Sequence, residues 1–307
     1  WSTTQIMASL AKALVSDGPA LGFGAVTSTH VEAKTAVVVT STGSTGANKE
    51  LMLSAGALLA SAKCSNKFLA ASFGETWSLL LPLTHIAAVN VLVRSLELGT
   101  IPVNLTDYQG EYPKVKYTAI VPTQLFNALN GDDRLLRHLQ SVKAVLVGGA
   151  ALTSELQEQA TNAGIKVVTT YGMSETSGGC VYNGTPLEGV QIAISDSGFI
   201  KVSGPVLATN LNLDSQNWFV TSDLGELVDG QLKVLGRGDD VIISTKNGEL
   251  RIAASLNDEL HADVISLPHG WRDTNVSLLT SERDVDPLTG MVIQTAFSAQ
   301  LRAASDR

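Results

Sequence analysis

Four short stretches carry residue types whose spacing could do chemistry. The first is Ser41-Thr42-Gly43-Ser44-Thr45-Gly46-Ala47-Asn48-Lys49, which leaves the β-branched run Ala36–Thr40. Glycines let backbone N–H groups crowd around an anion, hydroxyls add donors, and a lysine adds a point charge. That is the chemistry of holding a polyphosphate. The G-x-x-x-x-G-K-[ST] spacing of a Walker loop is absent, so this stretch by itself reads equally as a flexible polar loop. Three more follow in order: Tyr171-Gly172-Met173-Ser174-Glu175, Thr221-Ser222-Asp223, and Gly236-Arg237-Gly238-Asp239-Asp240.

The surrounding elements must position these stretches. Ile6, Leu10 and Leu14 recur every four residues and predict a helix near the start. Ala36–Thr40 predicts a buried strand before the glycine-rich loop. Glu50–Ala62, rich in Ala, Leu and Ser, predicts a helix after it. Strands are expected at Trp77–Leu81, Gly99–Val103, Tyr117–Pro122, Ala144–Val147 and Ile165–Thr169. Helices are expected at Ala87–Leu98, at Thr123–Leu129 with Thr123 as cap, and at Thr153–Ala163. This alternation predicts an α/β fold with a mainly parallel sheet covered on both faces. Ligands of such sheets bind at the carboxyl ends of strands, where Gly43–Lys49, Gly148-Gly149-Ala150 and Tyr171–Glu175 fall. From Gly189 onward short strand-like runs alternate with turns such as Asp229-Gly230, which predicts a small β subdomain. Two further side chains stand out. His85, in Pro82-Leu83-Thr84-His85, reads as a helix cap or a core histidine. Arg94, on an otherwise apolar helix, must reach either water by snorkelling or an anion.

Composition narrows the partners. The 307 residues suit one large and one small domain, and 44% are hydrophobic against 16% charged. A formal charge of −8 argues against nucleic acid, which needs a basic face. No apolar run approaches the ~20 residues of a membrane span. Trp1–Leu14 lacks the pattern of a signal peptide. Cys64 and Cys180 lie far apart without C-x-x-C partners, so a cytoplasmic protein with two free thiols is expected.

Taken together, the four stretches resemble the core motifs of the adenylate-forming superfamily of acyl-CoA synthetases, peptide-synthetase adenylation domains and luciferases. The resemblance implies a carboxylate attacking the α-phosphate of ATP, formation of an acyl-adenylate, and departure of pyrophosphate. It implies that Thr42, Gly43, Ser44, Thr45, Gly46 and Lys49 cradle the phosphates, and that Glu175 binds Mg2+. Tyr171, leading into Gly172, Met173 and Ser174, would stack on adenine against a wall of Gly148, Gly149 and Ala150. Asp223 would accept from the ribose hydroxyls with help from Arg237, Asp239 would be the hinge, and His85 would lie beside the acyl substrate. Ser174 and Ser222 replace the family's usual threonine and glycine.

The run Thr170–Tyr182, with Gly184, Pro186-Leu187 and Gly189-Val190, resembles more narrowly the compact actinobacterial o-succinylbenzoate–CoA ligases of menaquinone biosynthesis. So does Pro82–Ser95. This implies o-succinylbenzoate as the acid and CoA as cosubstrate, with Arg94 or His85 pairing the carboxylate that does not react. Ser177, Gly178 and Gly179 would line the acyl pocket. A ligase for another aromatic acid and a non-catalytic nucleotide-binding module are the alternatives. The domains expected are an AMP-binding core at 1–188, a β subdomain at 189–240, and an atypical segment at 241–307. Nothing in the sequence sets the oligomeric state; a homodimer is the working expectation.

The segment after Ser244 departs from the resemblance. The superfamily continues into a mobile domain bearing a lysine in a Gly-Lys context, whereas this chain has no Gly-Lys pair and Lys246 is its last lysine. Val264–Trp271, Asn275–Thr280 and Asp286–Gly290 instead resemble the end of the dinucleotide-binding domain of molybdopterin oxidoreductases. A fusion, frameshift or chimera replacing the mobile domain is expected, with His269 and Trp271 as structural remnants. Adenylation should then be slow, and thioester formation slower still.

Overall fold

The structure, a computed structural model, describes residues 1–42, 48–238, 240–253, 265–267, 279–280 and 298–303. Its elements run α1 (Thr3–Leu14), β1 (Leu21–Phe23), β2 (Thr35–Thr42), β3 (Asn48–Ser54), α2 (Ala55–Phe68), β4 (Trp77–Leu79), α3 (Ile86–Glu97) and β5 (Val103–Asn104). There follow β6 (Tyr117–Ile120), α4 (Pro122–Leu129), α5 (Asp133–Ser141), β7 (Ala144–Val147), α6 (Ser154–Asn162) and β8 (Val167–Met173). A 3-10 turn (Ser174–Thr176) leads to β9 (Gly178–Tyr182) and β10 (Thr185–Pro186). The remaining strands are β11 (Gln191–Ile194), β12 (Phe199–Ser203), β13 (Phe219–Val228), β14 (Gln231–Arg237), β15 (Asp240–Thr245), β16 (Gly248–Ala253) and β17 (Gln300–Ala303).

Two compact units emerge. The larger comprises Trp1–Ser195, Lys201–Thr221 and Leu227–Lys233. The smaller comprises Asp196–Ile200, Ser222–Glu226 and Val234–Arg307.

The larger unit is built on a seven-stranded sheet of order β10-β9-β8-β7-β6-β4-β5. Its five strands β5, β4, β6, β7 and β8 are parallel, as the strand–helix alternation requires. Tyr117–Ile120 and Ala144–Val147 are buried at every position, which suits strands covered on both faces. β9 returns antiparallel on β8, pairing Tyr171 with Val181 and Met173 with Gly178. A core of Val115, Ile120, Leu125, Leu139, Val145, Ala160 and Ile165 packs α4, α5 and α6 on one part of the sheet.

A three-stranded sheet of order β1-β2-β3 carries the glycine-rich loop. Here the structure corrects the expected helix over Glu50–Ala62. β2 and β3 are the arms of a hairpin, in register from Val37↔Leu53 to Thr42↔Asn48, with a one-residue shift before Val37 that sets Thr35 opposite Ser54. Leu51 and Leu53 are both fully buried, an alternation that suits a strand. Helix α2 begins only at Ala55, where the Ser54 hydroxyl accepts from the Ala57 N–H at 3.1 Å. A second correction concerns α4. Pro122, not Thr123, sets its start, because proline suits the first helical turn where its missing N–H costs nothing. The strand expected at Gly99–Val103 shortens to β5.

A four-stranded sheet of order β11-β12-β13-β14 follows, its hairpin turning at Asp229-Gly230 as expected. In the smaller unit β15 pairs antiparallel with both β16 and β17. Ile243, Leu250 and Leu279 form its buried cluster, with Leu267 and Ala299 packed against it. No helix among the described residues is long and apolar enough to cross a membrane.

Candidate active site

The parallel strands of the larger unit deliver several of the expected residues to one edge of the sheet. Gly148, Gly149 and Ala150 leave β7, and Tyr171, Gly172 and Met173 close β8 beside it. Ser174 and Glu175 occupy the 3-10 turn directly after β8. Glu175 is half-buried, and its carboxylate makes no hydrogen bond or ion pair among the described residues. A carboxylate free in this way fits a hard cation, which prefers oxygen ligands. His85 follows β4 on the same edge, at the cap position of α3. Its ring is exposed and makes no capping hydrogen bond, so neither the cap nor the core reading holds.

Lys49 is the second residue of β3, opposite Ser41, and is exposed. Thr42 ends β2 opposite Asn48. Gly43, Ser44, Thr45 and Gly46 lie outside the described residues, as do Asp239, His269, Trp271 and most of the tail pieces that resemble a molybdopterin domain. Asp223 lies on β13 and Arg237 ends β14, both in the smaller unit. The Arg237 N–H donates to the Asp240 carboxylate at 3.3 Å, and that carboxylate also accepts from the Arg251 guanidinium at 2.9 Å.

The turn after Glu175 is held from below by α2 and α3. Ser177 adopts the left-handed conformation, with φ 51° and ψ 35°. Its carbonyl accepts from the Asn90 amide at 2.6 Å and from the Ser61 hydroxyl at 3.3 Å. Gly178 follows with φ +91°, and a Cβ there would strike the Asn90 amide. Glycine is therefore required on two counts.

Arg94 sits one helical turn beyond Asn90 on α3, and only 3% of its surface is exposed. It does not snorkel to the surface. Its guanidinium donates to the Tyr182 hydroxyl at 2.9 Å and lies 5.1 Å from the centre of the Trp77 ring. Tyr182 in turn shares a hydrogen bond of 2.9 Å with Ser65. Burial pulls the Arg94 pKa below its ordinary value, yet a guanidinium stays charged in proteins. Among the described residues its Nε has no hydrogen-bond partner, and neither do the Ser177 hydroxyl and the Asn90 carbonyl oxygen. The larger unit thus holds a buried cation whose described contacts, Tyr182 and Trp77, are neutral.

The sequence motifs give no role to Asn90, Ser61 or Tyr182, although Asn90 and Tyr182 fall within the runs Pro82–Ser95 and Thr170–Tyr182. A signal was present for Asn90, since Asn90 and Arg94 stand four apart on an apolar helix and share its face. Nothing local pointed to Tyr182, which is 88 positions from Arg94.

Residues 8–206 match the family described as AMP-binding enzyme. The chain belongs to that family. Residues 231–296 match the molydopterin dinucleotide binding domain. A Mycobacterium tuberculosis protein named "Probable 2-succinylbenzoate--CoA ligase" is 40% identical over 235 residues, covering 69% of this chain and 61% of that protein. The Escherichia coli "2-succinylbenzoate--CoA ligase" is 29% identical over 266 residues, covering 77% of this chain and 57% of that protein. The chain thus spans about three-fifths of the length of these relatives. Among solved structures, E. coli MenE with a bound analogue of OSB-AMS is similar with a TM-score of 0.59 and 27% identity, covering 72% of this chain and 52% of that one. The Bacillus subtilis o-succinylbenzoate CoA synthetase in complex with the acyl-adenylate intermediate OSB-AMP is similar with a TM-score of 0.60 and 26% identity, covering 69% of this chain and 51% of that one.

Proposed function

We propose that this chain activates o-succinylbenzoate with ATP and transfers the acyl group to CoA. One acid oxygen attacks the α-phosphate, a P–O bond forms, and pyrophosphate leaves. The CoA thiol then attacks the acyl carbonyl and AMP departs. The chemical demand on the protein is to hold two anions together and to neutralise charge as it develops on phosphate oxygens.

In this reading Lys49, with Thr42 and Gly43–Gly46, cradles the β- and γ-phosphates. Glu175 holds Mg2+, which supplies charge neutralisation on the phosphates when bound. Tyr171, followed by Gly172, Met173 and Ser174, faces adenine opposite Gly148–Ala150, Asp223 accepts from the ribose hydroxyls, and Arg237 assists it. His85, Ser177, Gly178 and Gly179 border the acid. Residues 1–188 act as the AMP-binding core, 189–240 as a β subdomain with its hinge at Asp239, and 241–307 as an atypical segment. ATP and CoA as substrates suit a cytoplasmic protein, and the assembly proposed is a homodimer, which sedimentation tests.

The observation that carries the choice of acid is Arg94, a buried cation with no carboxylate beside it among the described residues. Such a group is costly unless an anion joins it. An acid with two carboxylates supplies one to react and one to pair.

The test is ATP–pyrophosphate exchange with o-succinylbenzoate, with Lys49→Ala as control. Exchange that is lost in the variant supports the reading. Exchange with other aromatic acids, but not this one, would reassign the substrate. A second reading, a nucleotide-binding module without catalysis, is favoured by the match of residues 231–296 to a domain of another family. It predicts ATP binding with no pyrophosphate release.

A further inference from the structure

β3 is the edge strand of its sheet, so every second residue turns a backbone N–H and C=O away from β2. Such groups need partners or water. Two consecutive residues of the larger unit, Thr209 and Asn210, supply them. The Thr209 N–H donates to the Met52 carbonyl at 2.9 Å, and its hydroxyl donates to the same oxygen at 3.2 Å. The Asn210 side chain does the rest. Its Oδ1 accepts from the Met52 N–H at 3.0 Å, and its Nδ2 donates to the Glu50 carbonyl at 2.9 Å. An asparagine carries a donor and an acceptor in one planar group, so here it imitates a neighbouring strand.

The same segment reaches the other side of the site. The Ala208 N–H donates to the carbonyl of Glu175 at 2.8 Å. Three residues therefore join the backbone of Glu175 to the strand that starts beside Lys49. The Glu50 side chain fixes that strand independently: its carboxylate accepts from the Thr27 N–H at 2.5 Å and the Thr27 hydroxyl at 2.7 Å. Hydrogen bonds from Ser28 and Thr27 pull the Glu50 carboxyl down to about 2, so it is ionised at neutral pH. Residues 208–210 lie just beyond the 8–206 matched to the AMP-binding family.

We propose that Asn210 is a positioning residue for magnesium–ATP, the keystone of a splint that fixes the spacing between the Glu175 carboxylate and the Lys49 ammonium. This rests on the functional reading above. A carboxylate that holds the cation and a lysine that holds the phosphates must grip one ligand at once, so their separation sets affinity. Asn210 itself touches neither.

The experiment measures MgATP dissociation constants, together with KM for o-succinylbenzoate, in the full chain and its variants. Asn210→Ala is expected to raise the MgATP Kd roughly five- to fiftyfold, as loss of two such hydrogen bonds predicts. It should leave the acid KM within about twofold and the unfolding midpoint within a few degrees. Thr209→Val should raise the Kd less, and Thr209→Ser, which keeps the hydroxyl, should match wild type. Unchanged MgATP affinity in Asn210→Ala, with Lys49→Ala weakened, overturns the splint and leaves the functional reading standing. An equal rise in both constants overturns it too, because a general loosening explains that. Wild-type protein that binds no MgATP, or a Lys49→Ala variant that binds it normally, overturns the functional reading and the splint together. If Asn210→Ala does not fold, Thr209→Val decides: a Kd equal to that of Thr209→Ser overturns the proposal.

Discussion

The guanidinium of Arg94 meets the hydroxyl of Tyr182 at 2.9 Å, joining the apolar helix α3 to the antiparallel strand β9. The contact places a fixed positive charge beside the last residue of β9, while Asn90, one helical turn earlier, meets Ser177 before its start. Replacing Arg94 by methionine should leave the unfolding midpoint equal or higher, because a well-packed apolar side chain often outperforms a buried charge. The same variant should raise the KM for a dicarboxylic acid at least roughly tenfold without changing that for ATP. Calorimetry and steady-state kinetics on one preparation check both halves. An unchanged acid KM would remove Arg94 from the site.

Lys49 stands alone as an exposed cation on a strand that leaves the glycine-rich loop. Its replacement by alanine should cut pyrophosphate exchange by about a hundredfold, the usual scale for deleting one charge stabiliser. The fold should be untouched, and circular dichroism is the control.

Gly178 and Gly74 separate two penalties. Both have positive φ, +91° and +85°, but only Gly178 faces an obstacle, the Asn90 amide. Gly74→Ala should cost about 1 kcal/mol through backbone strain alone. Gly178→Ala should cost about 3 kcal/mol or more, since Asn90 must also give way. Denaturant titration of the two variants measures the difference.

His138 on α5 is buried, and its Nε2 lies 2.9 Å from the Ser78 hydroxyl, which donates to Thr118 at 2.8 Å. Burial pulls its pKa from 6.5 down to about 4. The unfolded chain therefore binds a proton that the folded chain refuses. Stability is full above pH 6.5 and is lost as pH falls towards 4, with a slope up to about 1.4 kcal/mol per pH unit. His138→Gln should flatten this part of a stability–pH curve.

Glu75 governs a lower window. It accepts from the Tyr117 hydroxyl at 2.7 Å, from the Ser72 N–H at 3.1 Å, and from Lys143. Lys143 first, then Tyr117 and Ser72, draw its carboxyl from 4.5 down to about 2. Its contribution is complete above pH 4.5 and vanishes as pH falls through about 2. Glu75→Ala leaves the buried Tyr117 hydroxyl without its acceptor, which should cost about 1–3 kcal/mol at neutral pH in thermal unfolding.

Much of the fold was legible because its signals are local. Ala144–Val147 reads as a buried strand from four apolar residues, and Thr153 caps α6 by accepting from Leu156 at 3.2 Å. Glu50–Ser54 reads as the start of a helix because its alternation is short and runs straight into the Ala-rich α2. Only the Ser54 cap marks the true boundary. The residues matched to motifs could be named, but their supports could not. Tyr182 and Asn210 act through contacts spanning 88 and 158 positions, which no local pattern encodes, and the four-residue spacing of Asn90 and Arg94 does not reveal that Asn90 meets Ser177, 87 positions on.

Because the lysine is borne by a strand and not by a helix, length variation after it obeys parity. Lys49, Leu51 and Leu53 share one side of β3, and Leu51 and Leu53 anchor that side in the core. Inserting or deleting a single residue between Lys49 and Ser54 would send the lysine to the opposite side of the sheet. Relatives that keep the lysine in use should differ here by none or by two residues, or carry a β-bulge that absorbs a single one.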